Sequence, residues 1–226
     1  MIITERYKYT TIQQKNSPKG RQYICPDGLP VPSVTTILSQ TKSAEDMAGL
    51  NRWKKRVGKD NAQRIVTEAG NRGTSMHKKI EEYLLGIDNE VGSNTIHQQT
   101  SKMANLIIDK YLEPNLTEVW GSEVRLYYTG LYAGTTDCVG LWKGKPAIVD
   151  FKQSNKPKKL EWITDYLLQL VAYAHAHNHV HDTNIRNGVV LMCTPDLQPQ
   201  CFELTDDIFD SVSDQWWERV KKFHVG

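Results

Sequence analysis

The sequence predicts a mixed α/β protein in which helices flank a central β-sheet. Three apolar, β-branched runs at 118–128, 131–142 and 145–152 follow one another through connections so short that the strands are expected to be antiparallel neighbours. A helical segment then leads to two further strands at 188–193 and 200–204. Because such a helix is long enough to serve as a crossover, the strand after it can lie parallel to part of the three-strand meander.

A β-rich lead-in and several helices are predicted around this sheet. The triplet Pro26-Asp27-Gly28 favours a tight turn between short extended segments, and Ser33 is suited to cap a short helix. The glycine-containing stretch at 70–73 is expected to interrupt a helical pattern, so that a second helix begins afresh after it. Helices are predicted over 44–69, 74–85, 95–111, 160–178 and 206–223, with a loop rich in Gly, Asn and Ser at 86–94.

Composition and charge are those of an intracellular globular protein. The 226 residues suffice for one domain with a sizeable core, and the net charge is only +2. No apolar run approaches the roughly 18 residues that span a bilayer, and the first ten residues lack the features of a signal or transit peptide. We therefore expect a single domain over 1–226, with a β lead-in and basic helical region over 1–115 and a sheet core over 116–226.

Two apolar runs on either side of Lys143-Gly144 predict a β-hairpin with a tight turn. If these are the two turn residues, cross-strand partners have numbers that sum to 287, and Asp137 and Asp150 are such a pair. Opposed residues have Cβ atoms about 4.5–5.5 Å apart, so two carboxylates would lie side by side in an apolar sheet. Strand alternation places Lys152 on the same face as Asp150.

Like charges that face each other destabilise a sheet unless something positive lies between them. A divalent cation is the natural candidate for this hairpin. The alternative is a surface hairpin with solvated aspartates and an ordinary salt-bridge lysine, and the hairpin alone leaves it open.

Positive charge is concentrated in the predicted helices before the sheet. Between Arg52 and Lys79 there are nine Lys or Arg against Asp60 and Glu68, a local net charge of +7 in a chain whose total is +2. Such polarity suits a protein that binds a polyanion along one face, and a solvated helix face is the alternative. The residues predicted to contact DNA are Arg52, Lys55, Arg56, Lys59, Arg72 and Lys78, with Lys156 and Lys158 after the meander.

Four elements in a fixed order carry a resemblance to a known family. They are a helix with a His, a strand with an Asp, a strand with an acidic-x-Lys triplet and a helix with Gln-x-x-x-Tyr, present here as His77, Asp137, Asp150-Phe151-Lys152 and Gln169 with Tyr173. This order resembles the RecB-like branch of the PD-(D/E)XK nuclease superfamily and the related phage exonucleases. The resemblance implies a restriction-endonuclease-like core, a mixed central sheet flanked by helices.

The resemblance also implies a metal centre. It assigns the metal ligands to Asp137, Asp150, the carbonyl of Phe151 and His77. Mg²⁺ prefers oxygen ligands, and because imidazole suits Mn²⁺ better, Mn²⁺ is expected to substitute for Mg²⁺.

Three further catalytic residues follow from the same resemblance. Lys152 would orient the attacking water and offset charge at the phosphate. Gln169 and Tyr173 would position Lys152, the waters of the metal or the phosphate.

The expected function is that of a metal-dependent DNA exonuclease acting on DNA ends, with single-stranded DNA as substrate. Its expected location is the cytoplasm of a bacterium or of a phage-infected host. Two alternatives stay open, a structure-specific DNA endonuclease and a non-catalytic DNA-binding module on the same fold.

Other candidate ligands are weaker. Glu123 could reach the site from the first meander strand, but its register depends on the turn at 128–130. Histidines alternate over 175–181, and alternate residues on a helix are about 200° apart and do not converge, so an exposed, frayed helix end is expected there. Among the cysteines only Cys193 and Cys201 fall late in the chain, so no iron–sulfur cluster is expected.

Overall fold

The computed structural model describes residues 2–87 and 95–226, so residues 88–94 of the predicted loop lie outside the described part of the chain. The strands are β1 (Ile2–Ile3), β2 (Gln13–Ser17), β3 (Gly20–Ile24), β4 (Pro30–Pro32), β5 (Leu116–Tyr128), β6 (Tyr132–Trp142), β7 (Lys145–Gln153), β8 (Asn187–Cys193) and β9 (Pro199–Leu204). The helices are α1 (Val34–Gln40), α2 (Ala44–Val57), α3 (Lys59–Leu84), α4 (Thr95–Ile107), α5 (Glu113–Asn115), α6 (Thr164–His181) and α7 (Asp206–Val225). A π-helical turn, Ile108–Leu112, joins α4 to α5, and a 3₁₀ turn, Leu160–Trp162, precedes α6.

A six-stranded mixed sheet in the order β1-β5-β6-β7-β8-β9 forms the centre of the fold. Strands β5, β6 and β7 are an antiparallel meander, and β8 lies parallel to β7 after the α6 crossover. Strand β9 returns antiparallel to β8, while β2, β3 and β4 form a separate small sheet. The predicted α/β architecture, a mixed central sheet flanked by helices, is confirmed.

The hairpin β6–β7 has the register that the sequence predicts. Cys138 pairs with Val149 and Trp142 with Lys145, so partners sum to 287. Lys143 and Gly144 have φ angles of 49° and 76°, and a two-residue type I′ turn requires positive φ at both central residues. This turn matches the right-handed twist of the strands and therefore fixes the pairing that places Asp137 beside Asp150.

Helices cover both faces of the sheet. On one face α6 buries Leu167, Leu170, Val171 and Ala174 against the strands, and α1 and α7 pack beside it. On the other face α3 and α4 bury an apolar stripe whose members are Met76, Ile80, Leu84, Met103 and Ile107. The division into regions 1–115 and 116–226 stays a prediction. Within the described part of the chain, no helix is both long and apolar enough to cross a membrane.

The predicted helix break at 70–73 is wrong. Gly70 and Gly73 lie inside the continuous helix α3, and the break falls instead at Gly58, whose φ of 83° ends α2. A Cβ atom at Gly73 would lie 4.0 Å from the Cβ atom of Gln153, an ordinary contact, so α3 packs against β7 here without a need for glycine. Helix α3 is therefore one continuous helix where it packs against the sheet.

The predicted frayed end of α6 is also wrong. The helix continues to His181, and Asp182 ends it with a left-handed φ of 51°. His177 is 0% exposed because Tyr9 of the N-terminal segment covers it, with 3.2 Å between the Tyr9 hydroxyl and His177 Nε2. On its other side His177 Nδ1 lies 2.8 Å from Thr183 Oγ1, so burial and hydrogen bonds order this helix end.

Candidate active site and metal centre

Three acidic residues lie at one level across three adjacent strands. In the β5–β6 ladder Ser122 pairs with Cys138 and Val124 with Thr136, which places Glu123 opposite Asp137. The β6–β7 register continues this row to Asp150. Since adjacent strands are about 4.8 Å apart, the sheet itself brings the three carboxylates together.

Glu123 is the residue of this row that the sequence indicates only as a weak candidate ligand. Its φ of 51° is unusual for a residue with a side chain, and no ladder pair joins it to Asp137. One ligand atom each from His77, Glu123 and Asp137 lie within 4.8 Å of one another. The positive φ thus occurs at a residue whose carboxylate lies close to His77 and Asp137.

His77 reaches the row from α3. The helix buries Met76 and Ile80 against the sheet, and His77, beside them, places Nδ1 3.5 Å from Asp137 Oδ2. Its ring lies edge-on to Phe151, with 6.0 Å between ring centroids. The structure therefore brings the predicted helix histidine to the predicted strand aspartate.

The two aspartates of the hairpin have different partners. The Phe151 main-chain N–H donates to Asp137 Oδ2 at 2.7 Å, so the Asp137 side chain takes a hydrogen bond beyond the last ladder pair. Asp150 is 0% exposed, and its Oδ2 contacts Lys152 Nζ in an ion pair. Oδ1 of Asp150 has no hydrogen-bond partner within residues 2–87 and 95–226. A buried carboxylate oxygen without a partner is costly, and its best partner in this setting is a cation.

Electrostatics couple these groups. Burial acts to raise the pKa of Asp137, but His77 and Lys152 outweigh it and lower that pKa below its ordinary value. Burial acts to lower the pKa of His77 and of Lys152, but the neighbouring carboxylates outweigh it and raise both. Burial dominates at Asp150 and raises its pKa. Although the Glu123 side chain is partly exposed, desolvation by the surrounding protein and then the Asp137 charge raise its pKa to about 7. Two of the three carboxylates thus have pKa values above the ordinary range, and a cation would stabilise their charged forms.

Gln169 and Tyr173 meet below this cluster. Gln169 Nε2 donates to the Tyr173 hydroxyl at 3.2 Å, and both side chains are buried on α6. A Cβ atom at Gly134 would lie 2.6 Å from Tyr173 Cε1, so β6 needs glycine there to admit the ring. Burial raises the pKa of Tyr173 well above its ordinary value, which keeps its hydroxyl protonated. Tyr166, which the sequence did not single out, places its ring centroid 5.4 Å from Lys152 Nζ.

The predicted DNA-binding residues divide into two groups. Arg72 and Lys158 lie near the site, since Arg72 Nη2 donates to Asn155 Oδ1 in the loop after β7, and the Lys158 main-chain N–H donates to Gln200 Oε1 at 2.7 Å. Lys78 follows His77 on α3, and Lys156 lies in the same loop as Lys158. The remaining residues are exposed on the α2–α3 hairpin, at Arg52, Lys55, Arg56 and Lys59.

The α2–α3 hairpin, which we call the basic arm, extends away from the site. At 1.5 Å per residue, Lys59 is about 27 Å from His77 along α3. A groove of about 610 Å³ between α2 and α3 is lined by Trp53, Ala62 and Val66 together with three lysines, Lys54, Lys55 and Lys59. The structure therefore places Lys59 at the start of α3, far from His77, and the other three cations, Arg52, Lys55 and Arg56, on α2.

The chain is similar in sequence to proteins that are named exonucleases. Mitochondrial genome maintenance exonuclease 1 of Mus musculus is 31% identical over 177 residues, which cover 75% of this chain and 51% of that protein. The Homo sapiens protein of the same name is 30% identical over 210 residues, covering 85% of this chain and 58% of that protein. The Xenopus tropicalis protein is 28% identical over 207 residues, with coverage of 85% and 57%.

The chain thus spans little more than half the length of the curated relatives that it matches. No family model matches the sequence. The alignments nonetheless extend over three quarters or more of this chain. The predicted resemblance to exonucleases is therefore confirmed, and the chain is similar to the mitochondrial genome maintenance exonucleases.

Proposed function

We propose that this chain is a divalent-metal-dependent deoxyribonuclease that removes nucleotides from DNA ends, with single-stranded DNA as its substrate. The observation that carries the proposal is the row of Glu123, Asp137 and Asp150 on adjacent strands, beside Lys152. A sheet gains nothing from three neighbouring carboxylates unless a cation or a reaction uses them. Similarity to proteins named exonucleases supports the same function.

The donor set fits Mg²⁺ or Mn²⁺. It offers carboxylate oxygens and one imidazole nitrogen, and the unpartnered Oδ1 of Asp150 is an oxygen that a cation would satisfy. When bound, such an ion would offset charge on the phosphoryl oxygens and lower the pKa of a coordinated water. We assign its ligands to His77, Asp137, Asp150 and the Phe151 carbonyl, and add Glu123.

Lys152 has a separate role in this proposal. Asp150 and Asp137 raise its pKa, so the ammonium stays charged at neutral pH and can donate to a phosphate oxygen or orient a water. The ion pair with Asp150 and the Tyr166 ring 5.4 Å away hold its Nζ in place. Gln169 and the protonated Tyr173 form a buried hydrogen-bonded pair that supports the strand bearing the site.

The DNA path is proposed from charge and aromatic surface. The basic arm offers lysines beside the half-buried ring of Trp53, and the loop after β7 adds Lys156 and Lys158. Bases of a single strand have free faces that can stack on such rings, whereas those of a duplex are already stacked. This combination favours single-stranded DNA and predicts binding that weakens with salt.

Digestion of end-labelled linear and circular single-stranded DNA tests the proposal. We expect linear strands to be shortened in Mg²⁺ and Mn²⁺ but not in EDTA, and circular strands to survive. Asp150→Ala should abolish digestion, whereas Asp214→Asn, a change at an exposed carboxylate on α7, should leave it intact. Cleavage of circles would favour the endonuclease alternative, and binding without cleavage in either metal would favour the DNA-binding module.

A further inference from the structure

An exposed tryptophan lies on the loop between the catalytic strand β7 and helix α6. Trp162 is 58% exposed, and Leu160 on the same 3₁₀ turn is 54% exposed. The other five tryptophans of the chain are buried or half-buried. A large ring left in water on a connecting loop is typical of a surface that binds something.

Hydrogen bonds order the main chain of the loop that carries this ring. The Lys158 main chain exchanges two hydrogen bonds with the Gln200 side chain, at 2.7 and 2.8 Å. Ser154 Oγ donates to the Lys156 carbonyl at 2.8 Å, and the Trp162 N–H donates to the Lys159 carbonyl at 3.0 Å. The loop backbone is therefore ordered before a ligand binds, which lowers the entropy cost of binding.

Trp162 lies next to the proposed active site along the chain. It precedes Tyr166 by four residues, and the Tyr166 ring centroid is 5.4 Å from Lys152 Nζ. Trp162 thus belongs to the connection that leads from β7, the strand of Lys152, to α6, the helix of Tyr166.

The charge around the ring is positive. Lys159 Nζ lies 5.4 Å from the Trp162 ring centroid, within the range of a cation–π contact. Residues 154–162 carry Lys156, Lys158 and Lys159 against Glu161, which lies 3.9 Å from Lys159. An exposed aromatic ring with an ammonium close to it matches a nucleobase and its phosphate.

We propose that Trp162 and Lys159 form a stacking subsite for one nucleobase of a single strand whose phosphates the lysines of this loop would contact. This inference rests on the proposed function and adds to it a named position at which the enzyme contacts a base. The contact is made with the face of the base and is therefore tolerant of sequence. A duplex offers no free face at this position.

Binding measurements on a protein that does not cut test the subsite. Fluorescein-labelled oligothymidylate of 15 nucleotides is titrated in Ca²⁺ with Asp150→Ala protein, alone or combined with a second change. Stacking on one aromatic side chain contributes about 1–3 kcal/mol, so adding Trp162→Ala should weaken binding about 5- to 150-fold. Trp162→Phe should lose less, because a ring remains. Leu160→Ala is the matched control on the same turn and should change affinity less than twofold.

Abasic sites make the test specific for a base. Removal of one base at successive positions should weaken binding to Asp150→Ala protein strongly at one position. At that position the added change Trp162→Ala should cause no further loss, since the two changes remove the same contact. Equal affinity of Trp162→Ala protein for the intact strand, or equal effects of the abasic site in both proteins, would overturn the subsite.

Three further outcomes distinguish a failed subsite from a failed nuclease function and from an interface between copies of the chain. If otherwise unaltered protein binds and digests single strands while Trp162→Ala changes nothing, the subsite alone fails. If unaltered protein neither binds nor digests single strands, the proposed function fails. If Trp162→Ala instead lowers the sedimenting mass of the protein, the ring lies in an interface between copies, which also overturns the subsite. Thermal unfolding of each variant checks that it folds.

Discussion

Buried His177 should make the stability of this protein depend on pH. Burial, with a smaller effect of the neighbouring His181, lowers the pKa of His177 to about 3. The unfolded chain has the ordinary value of about 6.5. Below pH 6.5 the unfolded state therefore binds a proton at His177, whereas the folded state does not until the pH nears 3. The contribution of His177 to the free energy of unfolding is therefore complete above pH 6.5 and is lost as the pH falls toward 3.

The size of the effect follows from the two pKa values. Between pH 8 and pH 5.5, proton binding to the unfolded state alone lowers the free energy of unfolding by about 1.4 kcal/mol. Other groups titrate in the same range, and His77, whose pKa is raised, acts in the opposite direction. A difference between two proteins isolates the contribution of His177.

Urea unfolding of wild-type and His177→Gln protein measures that difference. The variant loses hydrogen bonds to Tyr9 and Thr183 and should be less stable at pH 8. The difference in the free energy of unfolding between the two proteins should be about 1.4 kcal/mol smaller at pH 5.5 than at pH 8. The reason is that only the unfolded wild-type protein gains stability by binding a proton at position 177. His179→Gln, at an exposed position of the same helix, is the control. A gap that stays constant with pH would refute the reasoning.

Two further predictions concern the site and the basic arm. Gly134→Ala should destabilise the protein by about 1–3 kcal/mol and reduce nuclease activity, because the new Cβ overlaps the buried Tyr173 ring. Gly73→Ala is the control, since its new Cβ meets only an ordinary contact. This change should stabilise the protein by about 0.5–1 kcal/mol in the same denaturation assay. Unchanged stability of Gly134→Ala would contradict the observed packing. Lys55→Glu with Lys59→Glu should weaken binding of a 15-mer but not of a 5-mer, since 27 Å corresponds to about eight nucleotides. Fluorescence anisotropy at several salt concentrations should show a salt slope smaller by at least about 1.4, and Lys221→Glu, on α7, is the control. Equal losses for both oligonucleotide lengths would argue against a path along the arm.

The hairpin β6–β7 shows how far sequence reasoning reaches. The pairing of Asp137 with Asp150 could be predicted because a two-residue turn at Lys143-Gly144 fixes the register of everything before and after it. The sequence likewise predicted a helix at 160–178, where the structure has α6, and residues 167–174 of that helix are all buried.

The errors arose where tertiary contacts decide. Gly70 and Gly73 look like helix breakers, but the packing of α3 against the sheet keeps the helix continuous through them. His177 looks like part of a polar helix end until the distant Tyr9 covers it. The position of Glu123 depends on the three-residue turn between β5 and β6, whose length the sequence did not specify. It also depends on a positive φ at Glu123, which the residue type does not predict.

The central claim is that carboxylates on three adjacent strands hold a divalent ion. Titration of Mn²⁺ into the protein without DNA, followed by electron paramagnetic resonance of the free ion, measures binding independently of catalysis. We expect saturable binding that Asp137→Asn abolishes and Glu123→Gln weakens, while Asp214→Asn leaves it unchanged. Equal Mn²⁺ affinity in the wild-type, Asp137→Asn and Glu123→Gln proteins would contradict the claim.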